Sequence, residues 1–181
     1  MSQLRYAVRT CTDQTQIDEF LLQAKTGSLA MTDGEQPYVI PLNFVWHEGS
    51  IYFHGADAGR KETIMQQNNR VCFLVSEEYG TIADPVPADT DTAYMSVIIF
   101  GRAKRITELE HATGALQAML EKYVPGYYDA PLSRQHVDKY RSSKGAKAAV
   151  YKITPDELTA KFNPVNSEKM FYPGRNVKKD V

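Results

Sequence analysis

The sequence predicts a mainly β fold with flanking helices, arranged as a small antiparallel barrel that is closed or partly closed. Segments rich in β-branched and aromatic residues dominate from residue 38 onwards, and turn residues separate them. The predicted order is a helix, about four strands around one short helix, a helical excursion and a returning strand. Because 181 residues suffice for one well-filled core, we expect a single domain over residues 1–162 and a C-terminal tail over 163–181.

Composition argues against several partners and locations. The 21 basic and 22 acidic residues leave a formal net charge of −1, so nothing marks the chain as a binder of nucleic acid or another polyanion. No apolar run approaches the roughly 18 residues needed to cross a bilayer, and the N-terminal residues lack a hydrophobic secretion segment. We therefore expect a cytoplasmic protein with no membrane contact.

The first elements are a helix and two strands. The helix is predicted to begin at Thr15 and to end at Gly27, because its apolar residues fall on one face. Residues 28–32 predict a short strand, and an Asp-Gly turn then leads to a longer strand over 38–46. The apolar residues of the helix are Ile17, Phe20, Leu21 and Ala24.

A hairpin is predicted over residues 38–56, with Glu48-Gly49 as its two-residue loop. Counting outward from that loop pairs residues across the two strands, and opposed residues share a face of the sheet. Asn43 and His54 then become neighbours. The full set of predicted pairs is His47 with Ser50, Val45 with Tyr52, Asn43 with His54, and Pro41 with Ala56.

A short helix over 61–67 and a strand from Arg70 are predicted next. The polar segment 77–91 contains a glycine and two prolines, and we interpret it as a mobile loop of a length that often covers a site. Residues 94–105 predict a long strand, whose continuous apolar centre indicates burial on both faces.

The last third of the chain predicts two helices and a returning strand. A Thr-x-x-Glu capping box at 107–110 begins the first helix, and a Pro-Gly pair at 125–126 ends it. A second helix is predicted after Ser133. Residues 148–153 predict the last strand, and a Thr-Pro pair at 154–155 is expected to stop it and open one more helical turn. The apolar stripe of the first helix is Leu109, Ala112, Leu116, Met119, Leu120 and Tyr123.

Three tyrosines surround the Pro-Gly pair at 125–126. Tyr123, Tyr127 and Tyr128 suit either an aromatic wall over a bound ring or packing beneath a loop, and packing is the favoured interpretation. Trp46, at the hairpin end, is interpreted as a core or subunit-interface residue.

Both cysteines and three of the four histidines are assigned structural rather than functional roles. Cys11 and Cys72 lack Cys-x-x-Cys spacing and a nearby histidine, so both are interpreted as structural thiols. His47, His111 and His136 show no ligand spacing and are assigned to a turn or to helix surfaces. No metal site is predicted.

Residues 55–61, Gly-Ala-Asp-Ala-Gly-Arg-Lys, suit a phosphate. Small residues let the backbone turn closely, and the following helix start offers unpaired N–H groups and a positive dipole end. Arg60 can bind two oxygens at once, and Lys61 adds a compact charge. An ordinary surface turn with two solvated cations explains the same spacing.

Five motifs follow one another along the chain. They are Tyr-Val-Ile-Pro-Leu-Asn-Phe at 38–44, Ile-Tyr-Phe-His-Gly-Ala at 51–56, Gly-Arg-Lys at 59–61, Asn-Arg-Val-Cys-Phe at 69–73 and Tyr-x-Ser-Val-Ile-x-Phe-Gly-Arg-Ala at 94–103. In this order they resemble the FMN-binding split-barrel proteins of the pyridoxamine 5′-phosphate oxidase-like superfamily, and specifically their nitroimidazole-resistance branch. The resemblance covers about residues 4–160 and implies a split barrel, a small antiparallel Greek-key-like barrel.

This resemblance implies a set of residues around FMN. Arg60 and Lys61 would grip the phosphate, with His54 and Gly55 beside it at the strand end. The cofactor contacts implied by the resemblance are completed by Pro41, Leu42 and Asn43 at the isoalloxazine ring and by Ser96, a polar contact on the strand 94–105.

His54 also separates this chain from true pyridoxamine phosphate oxidases, which typically carry a tyrosine there, whereas the nitroimidazole branch carries a histidine. The tail lacks any histidine, so the oxidases' C-terminal substrate-phosphate motif is missing and oxidation of vitamin B6 is not expected. Two roles are open for His54: a hydrogen bond to a phosphate or ribityl oxygen, which is the favoured role, and catalytic proton donation to a reduced substrate.

Two functional classes follow from the resemblance. The first is an FMN-dependent oxidoreductase that uses NAD(P)H to reduce a small acceptor such as a nitroaromatic or a quinone, and that acts as a homodimer with the cofactor at the subunit interface. The second is a non-catalytic protein that binds a flavin or a haem. A haem would be held non-covalently, because no Cys-x-x-Cys-His attachment site exists.

Overall fold

The computed structural model describes residues 7–139, 141 and 147–180. Within them the chain forms eight strands, four α-helices and three short 3₁₀ segments, at Ala7–Arg9, Pro87–Asp89 and Val177–Lys179. The strands are β1 (Thr10–Cys11), β2 (Thr26–Thr32), β3 (Pro37–Asn43), β4 (Val45–His47), β5 (Ser50–Ala56), β6 (Arg70–Ile82), β7 (Asp91–Ile106) and β8 (Ala148–Asn163). The helices are α1 (Gln14–Gln23), α2 (Arg60–Gln67), α3 (Leu109–Tyr123) and α4 (Arg134–Lys139).

All eight strands belong to one antiparallel sheet. Its order is β3-β2-β6-β7-β8-β5-β4, and β1 adds to β8. Side chains from the inner face of the sheet pack with residues of α1 and α2 in one core, whereas α3 packs on the outer face against Tyr52 and Val150 in a second cluster. The predicted mainly β architecture with flanking helices is confirmed.

Helix α1 forms close to where the sequence predicts it. Its cap is Asp13, whose carboxylate accepts the backbone N–H of Thr15 at 2.9 Å and that of Gln16 at 3.3 Å. The helix ends at Gln23, before Gly27, which lies in β2. A Cβ at Gly27 would lie 2.3 Å from the ring of Phe73, so this glycine serves close packing rather than helix termination.

The predicted hairpin is correct near its loop and wrong beyond it. His47 pairs with Ser50 and Val45 with Tyr52, but the strand breaks at Phe44. Asn43 therefore pairs with Thr26 rather than with His54. The remaining corrected pairs are Pro41 with Ser28, His54 with Val150, and Ala56 with Ala148.

Tyr123 supplies the physical reason for this break. Its hydroxyl accepts the backbone N–H of Phe44 at 2.9 Å and lies 3.0 Å from the carbonyl oxygen of the same residue. The Tyr123 hydroxyl also donates to the carbonyl oxygen of Lys25. Phe44 is fully buried, and a side chain from α3 satisfies backbone groups that a continuous strand would pair with its neighbour. The packing interpretation is thus confirmed for Tyr123, while Tyr127 and Tyr128 are exposed.

The segment predicted as a mobile loop over 77–91 is strand over 77–82 and at 91, and the connection 83–90 contains a 3₁₀ turn. β6 and β7 stay paired as far as Ile82 and Asp91, with a bulge between Glu78 and Gly80. Backbone hydrogen bonds between strands do not depend on side-chain polarity. Polar residues can therefore continue the pairing of β6 with β7, although they lack the apolar pattern by which a strand is predicted. Beyond β8, Met170 bridges Ile82; the division into a domain and a tail stays a prediction.

Two expectations for the long strands are wrong. β7 is buried on one face only, through residues such as Met95 and Val97, while Phe100 on the other face is 47% exposed. β8 does not stop at Pro155 but continues to Asn163. A register shift opposite Gly101 accommodates the proline, whose missing N–H is tolerated at a bulge.

α3 also begins differently from the prediction. Its cap position is Glu108 with no side-chain cap hydrogen bond, so the predicted capping box does not form. The buried stripe is Ala112, Thr113, Ala115 and Met119, and Leu109 is exposed. α4 follows Ser133 as predicted. No helix among the described residues is long and apolar enough to cross a membrane.

Removing one oxygen atom tests the role of Tyr123. We expect Tyr123→Phe to lower the free energy of unfolding by about 1–3 kcal/mol, because the buried N–H of Phe44 would lose its partner. Chemical denaturation measures the change. Tyr127→Phe is the matched control, since that ring is 75% exposed and a surface change of this kind is worth about 0.5 kcal/mol or less. Equal stability of the two variants would contradict this role.

Candidate functional site

The turn at 55–61 lies where β5 leads into α2. Gly59 occupies the N-cap position with φ of +117° and ψ of 179°, a backbone conformation suited to glycine. No side chain caps the helix, so its first backbone N–H groups are left without a side-chain partner and the positive end of the helix dipole faces outward. This is the local geometry that the phosphate prediction requires.

Arg60 extends from the first turn of α2 towards the start of β3. Its guanidinium carbon lies 4.5 Å from the centre of the Tyr38 ring, and its Nη2 lies 3.8 Å from Oδ2 of Asp33. Half of the Arg60 side chain is exposed, at 51%. The loose ion pair and the stacking orient the guanidinium while leaving donors accessible to an anion.

Lys61 points the other way, into the end of the barrel. Its Nζ is buried without a hydrogen-bond partner among the described residues, 4.7 Å from the centre of the Tyr151 ring and 5.7 Å from that of Phe53. Burial lowers the pKa of Lys61, and the charge of Arg105 lowers it further against the opposing effect of Glu62. The amine does not converge with the guanidinium of Arg60.

Gly55 makes room for this buried amine. A Cβ at position 55 would lie 2.9 Å from Nζ of Lys61, closer than nonbonded carbon and nitrogen atoms approach. Because Nζ is the far end of a flexible side chain, a larger residue at position 55 would displace the amine rather than the backbone.

Acidic residues beside Lys61 form a group that sequence analysis missed. Oε1 of Glu62, whose side chain is 7% exposed, lies 3.7 Å from Nη1 of Arg105 and 3.4 Å from Nε2 of Gln66. Oδ2 of Asp57 lies 4.0 Å from Nη2 of Arg105. Arg105 ends the basic run of β7, and only the pairing of strands brings that run next to α2.

His54 lies on the outer face of β5, opposite Val150. Although its ring reaches the surface, desolvation by its surroundings lowers its pKa, and the positive charge of Lys61 lowers it further. The lowered pKa favours the neutral imidazole, which donates from one ring nitrogen and accepts at the other. It borders a cavity of about 500 Å³ between the sheet, α3 and α4, and His136, which sequence analysis assigned to a helix surface, borders the same cavity.

Pro41, Asn43 and Ser96 lie on the outer face of the other half of the sheet. Pro41 and Asn43 are exposed on edge strand β3, and Ser96 is half-buried on β7 between Ser76 and Lys161. Leu42 packs against the core from the inner face. Pro41 and Asn43 are therefore the β3 residues of this group that are open to a ligand.

The strand register separates His54 from Ser96. Val150, the partner of His54, also pairs with Ile106 at the end of β7. Ser96 precedes Ile106 by ten residues on the same strand, which corresponds to about 33 Å of extended chain. Within one chain, His54 is therefore remote from Ser96, whereas the guanidinium of Arg60 lies beside Tyr38 of β3.

Comparison with known proteins agrees with this fold. The family model described as pyridoxamine 5′-phosphate oxidase matches residues 13–162. The chain belongs to the pyridoxamine 5′-phosphate oxidase family. Among curated protein sequences, none matches it.

Solved structures similar to this family member share its split-barrel fold. A candidate 5-nitroimidazole antibiotic resistance protein from Bacteroides thetaiotaomicron is 24% identical with a TM-score of 0.64, covering 84% of this chain and 85% of that one. The flavocytochrome Anf3 from Azotobacter vinelandii is 20% identical with a TM-score of 0.75, and the match covers 96% of this chain and 79% of that one. An FAD and haem binding protein from Mycobacterium smegmatis is 16% identical with a TM-score of 0.70, and the match covers 88% of this chain and 77% of that one.

Neither cysteine of this family member forms a disulfide, and both are half-buried. Burial raises the pKa of Cys72, which disfavours the reactive thiolate. Sγ of Cys11 lies 3.2 Å from Oε1 of Gln16. The described residues contain no group of three or more His, Cys, Asp or Glu side chains arranged to hold a metal ion.

The buried amine of Lys61 leads to a stability prediction. We expect Lys61→Met to raise the free energy of unfolding of the ligand-free protein by about 1 kcal/mol at pH 7, because a charge without a hydrogen bond is no longer desolvated. Since the folded-state pKa of Lys61 lies below its usual value of 10.5, the wild type gains stability as pH rises from that lowered pKa towards 10.5, and the difference should shrink.

Denaturation at several pH values checks this expectation, with Lys104→Met as control because Lys104 is exposed on β7. A Lys61→Met protein that is less stable than wild type at pH 7 would mean that the ring contacts outweigh desolvation.

Proposed function

We propose that the protein is an FMN-dependent oxidoreductase that uses electrons from NAD(P)H to reduce a small acceptor such as a nitroaromatic or a quinone. The observation that carries this proposal is the uncapped N-terminus of α2 behind Gly59, with the accessible guanidinium of Arg60, in a chain of the pyridoxamine 5′-phosphate oxidase family. Flavin-binding and 5-nitroimidazole resistance proteins among the similar structures support it.

In this proposal the phosphate of FMN sits at the start of α2. The backbone N–H groups and Arg60 bind its oxygens, and Lys61 supplies long-range positive charge from below the turn. Lys61 would reach the phosphate directly only after its amine leaves the rings of Tyr151 and Phe53. When bound, the flavin would supply the electron transfer, while the chain holds and orients it.

We further propose a homodimer with the cofactor at the subunit interface. The support is the separation of His54 from Ser96, because Ile106, which lies level with His54, is ten residues or about 33 Å of extended chain from Ser96 along β7. A second copy could place its outer-face residues Pro41, Asn43 and Ser96 against the phosphate end of the first. Exposed Phe100 and Leu74 lie on that same outer face and would be covered by such contact.

A non-catalytic flavin- or haem-binding protein is the alternative. Two of the similar structures are described as a flavocytochrome and as an FAD and haem binding protein. In this chain His54 and His136 border one cavity, and imidazole is a common ligand of haem iron. This alternative predicts bound cofactor without turnover.

Purification of the protein, release of its ligand, and identification by absorbance and mass test the cofactor. We expect FMN, and consumption of NADH or NADPH when a nitroaromatic is added. Arg60→Ala should weaken FMN binding by about 10- to 100-fold, the loss typical of a charge-assisted hydrogen bond. Arg102→Ala is the control, because Arg102 is 62% exposed and pairs with exposed Asp156. A colourless protein with no flavin affinity would rule out the proposed oxidoreductase.

A pair of substitutions at His54 separates binding from proton donation. We expect His54→Ala to weaken FMN binding about tenfold through loss of a hydrogen bond, and His54→Gln to restore binding because the amide can still donate. If His54 also donates a proton to substrate, the glutamine variant should bind FMN but turn over slowly. Titration and steady-state rates measure both; a His54→Ala protein with full affinity and turnover would remove His54 from either role.

A further inference from the structure

The cavity beside His54 has a wall made mainly of aliphatic side chains. Leu116, Met119 and Leu120 contribute from one side of α3, and Leu132 and Val137 contribute from the opposite side, in and before α4. Its volume of about 500 Å³ lies within the usual range for small-molecule sites. An exposed apolar hollow of this size on a small protein is a binding surface more often than a packing defect.

Polar groups enter this cavity at few points. The described lining residues include no Asp, Glu, Lys or Arg, and their polar side chains are those of His54, His136, Tyr128 and Ser133. Moving a charged ligand from water into such a cavity would cost desolvation free energy, because no charged partner offsets it. Burial of an uncharged aromatic ring against the same side chains is favourable. The two imidazoles and the two hydroxyl groups can hydrogen-bond a polar substituent.

The proposed phosphate site is adjacent to this cavity but separate from it. Arg60 and Lys61 do not line the cavity. His54 borders it, and its pKa is lowered by desolvation and by the nearby charge of Lys61. A phosphate-bearing cofactor held at α2 and an uncharged molecule in the cavity can therefore meet at His54 without competing for the same groups.

We propose that this cavity is the acceptor site, and that it selects uncharged, flat aromatic molecules whose polar substituent faces His54 and His136. This inference rests on the proposed oxidoreductase function and assigns the part of the chain that recognises its acceptor. The helices α3 and α4, rather than the barrel, then determine acceptor size.

Binding of two probes of similar shape and different charge tests the proposal. Nitrobenzene and 4-nitrobenzoate are titrated into the protein as purified, and binding is followed by calorimetry. We expect nitrobenzene to bind at least tenfold more tightly than the carboxylate. Equal affinities, or tighter binding of 4-nitrobenzoate, would overturn the proposal.

Two cavity-filling variants locate the binding. Ala130→Phe and Val137→Phe enlarge side chains on the cavity wall. Each substitution should weaken the binding of nitrobenzene at least tenfold, while the content of bound flavin stays unchanged. Ala88→Phe is the matched control, because Ala88 is exposed in the turn between β6 and β7, and its nitrobenzene affinity should equal that of wild type. Unchanged affinity in both cavity variants would overturn the assignment.

The outcomes distinguish this inference from the proposed function. Turnover of nitrobenzene that neither cavity variant alters would leave the oxidoreductase intact and remove the cavity as its acceptor site. Selective nitrobenzene binding in the cavity of a protein that carries no flavin would support an aromatic-binding site and overturn the oxidoreductase.

Discussion

Strand β7 pairs with β6 over residues 91–102 and with β8 over residues 94–106, and the placement of the other elements depends on this double pairing. Two irregularities bend the three strands around the core, one near Gly80 and one opposite Gly101. At Gly101 a Cβ would lie 2.3 Å from the carbonyl oxygen of Thr154, so the strands approach closely only because that residue is glycine. The curved sheet then buries its inner residues against α1 and α2.

The same pairing determines the geometry of the candidate site. β8 lies between β5 and the end of β7, which brings the start of α2 next to Arg105. The other end of β7 carries Ser96, on the same outer face as Pro41 and Asn43. Within one chain, β7 thus separates His54 from Ser96, although the family resemblance assigns both residues to a single cofactor.

The candidate site also contains charged groups that are buried without hydrogen bonds. The amine of Lys61 and one carboxylate oxygen of Glu62 are buried without hydrogen-bond partners among the described residues, and such groups usually lower stability. Perturbed groups of this kind concentrate at functional sites. The motif around position 60 indicated a phosphate site from its residue types, but it did not indicate that Arg60 and Lys61 point in opposite directions, because side-chain direction depends on the rings of Tyr38 and Tyr151.

Local interactions explain what the sequence by itself determined. The mainly β composition, the existence of the helices and the Glu48-Gly49 loop depend on residues close together in the chain, and all are present in the fold. Beyond the two pairs next to that loop, strand partners were decided only by the tertiary structure. Asn43 pairs with Thr26 because Tyr123, from α3, satisfies the backbone of Phe44, and β8 passes Pro155 because Gly101 of β7 faces it. These contacts join residues far apart in sequence, so hydrophobic pattern and turn residues carry no information about them.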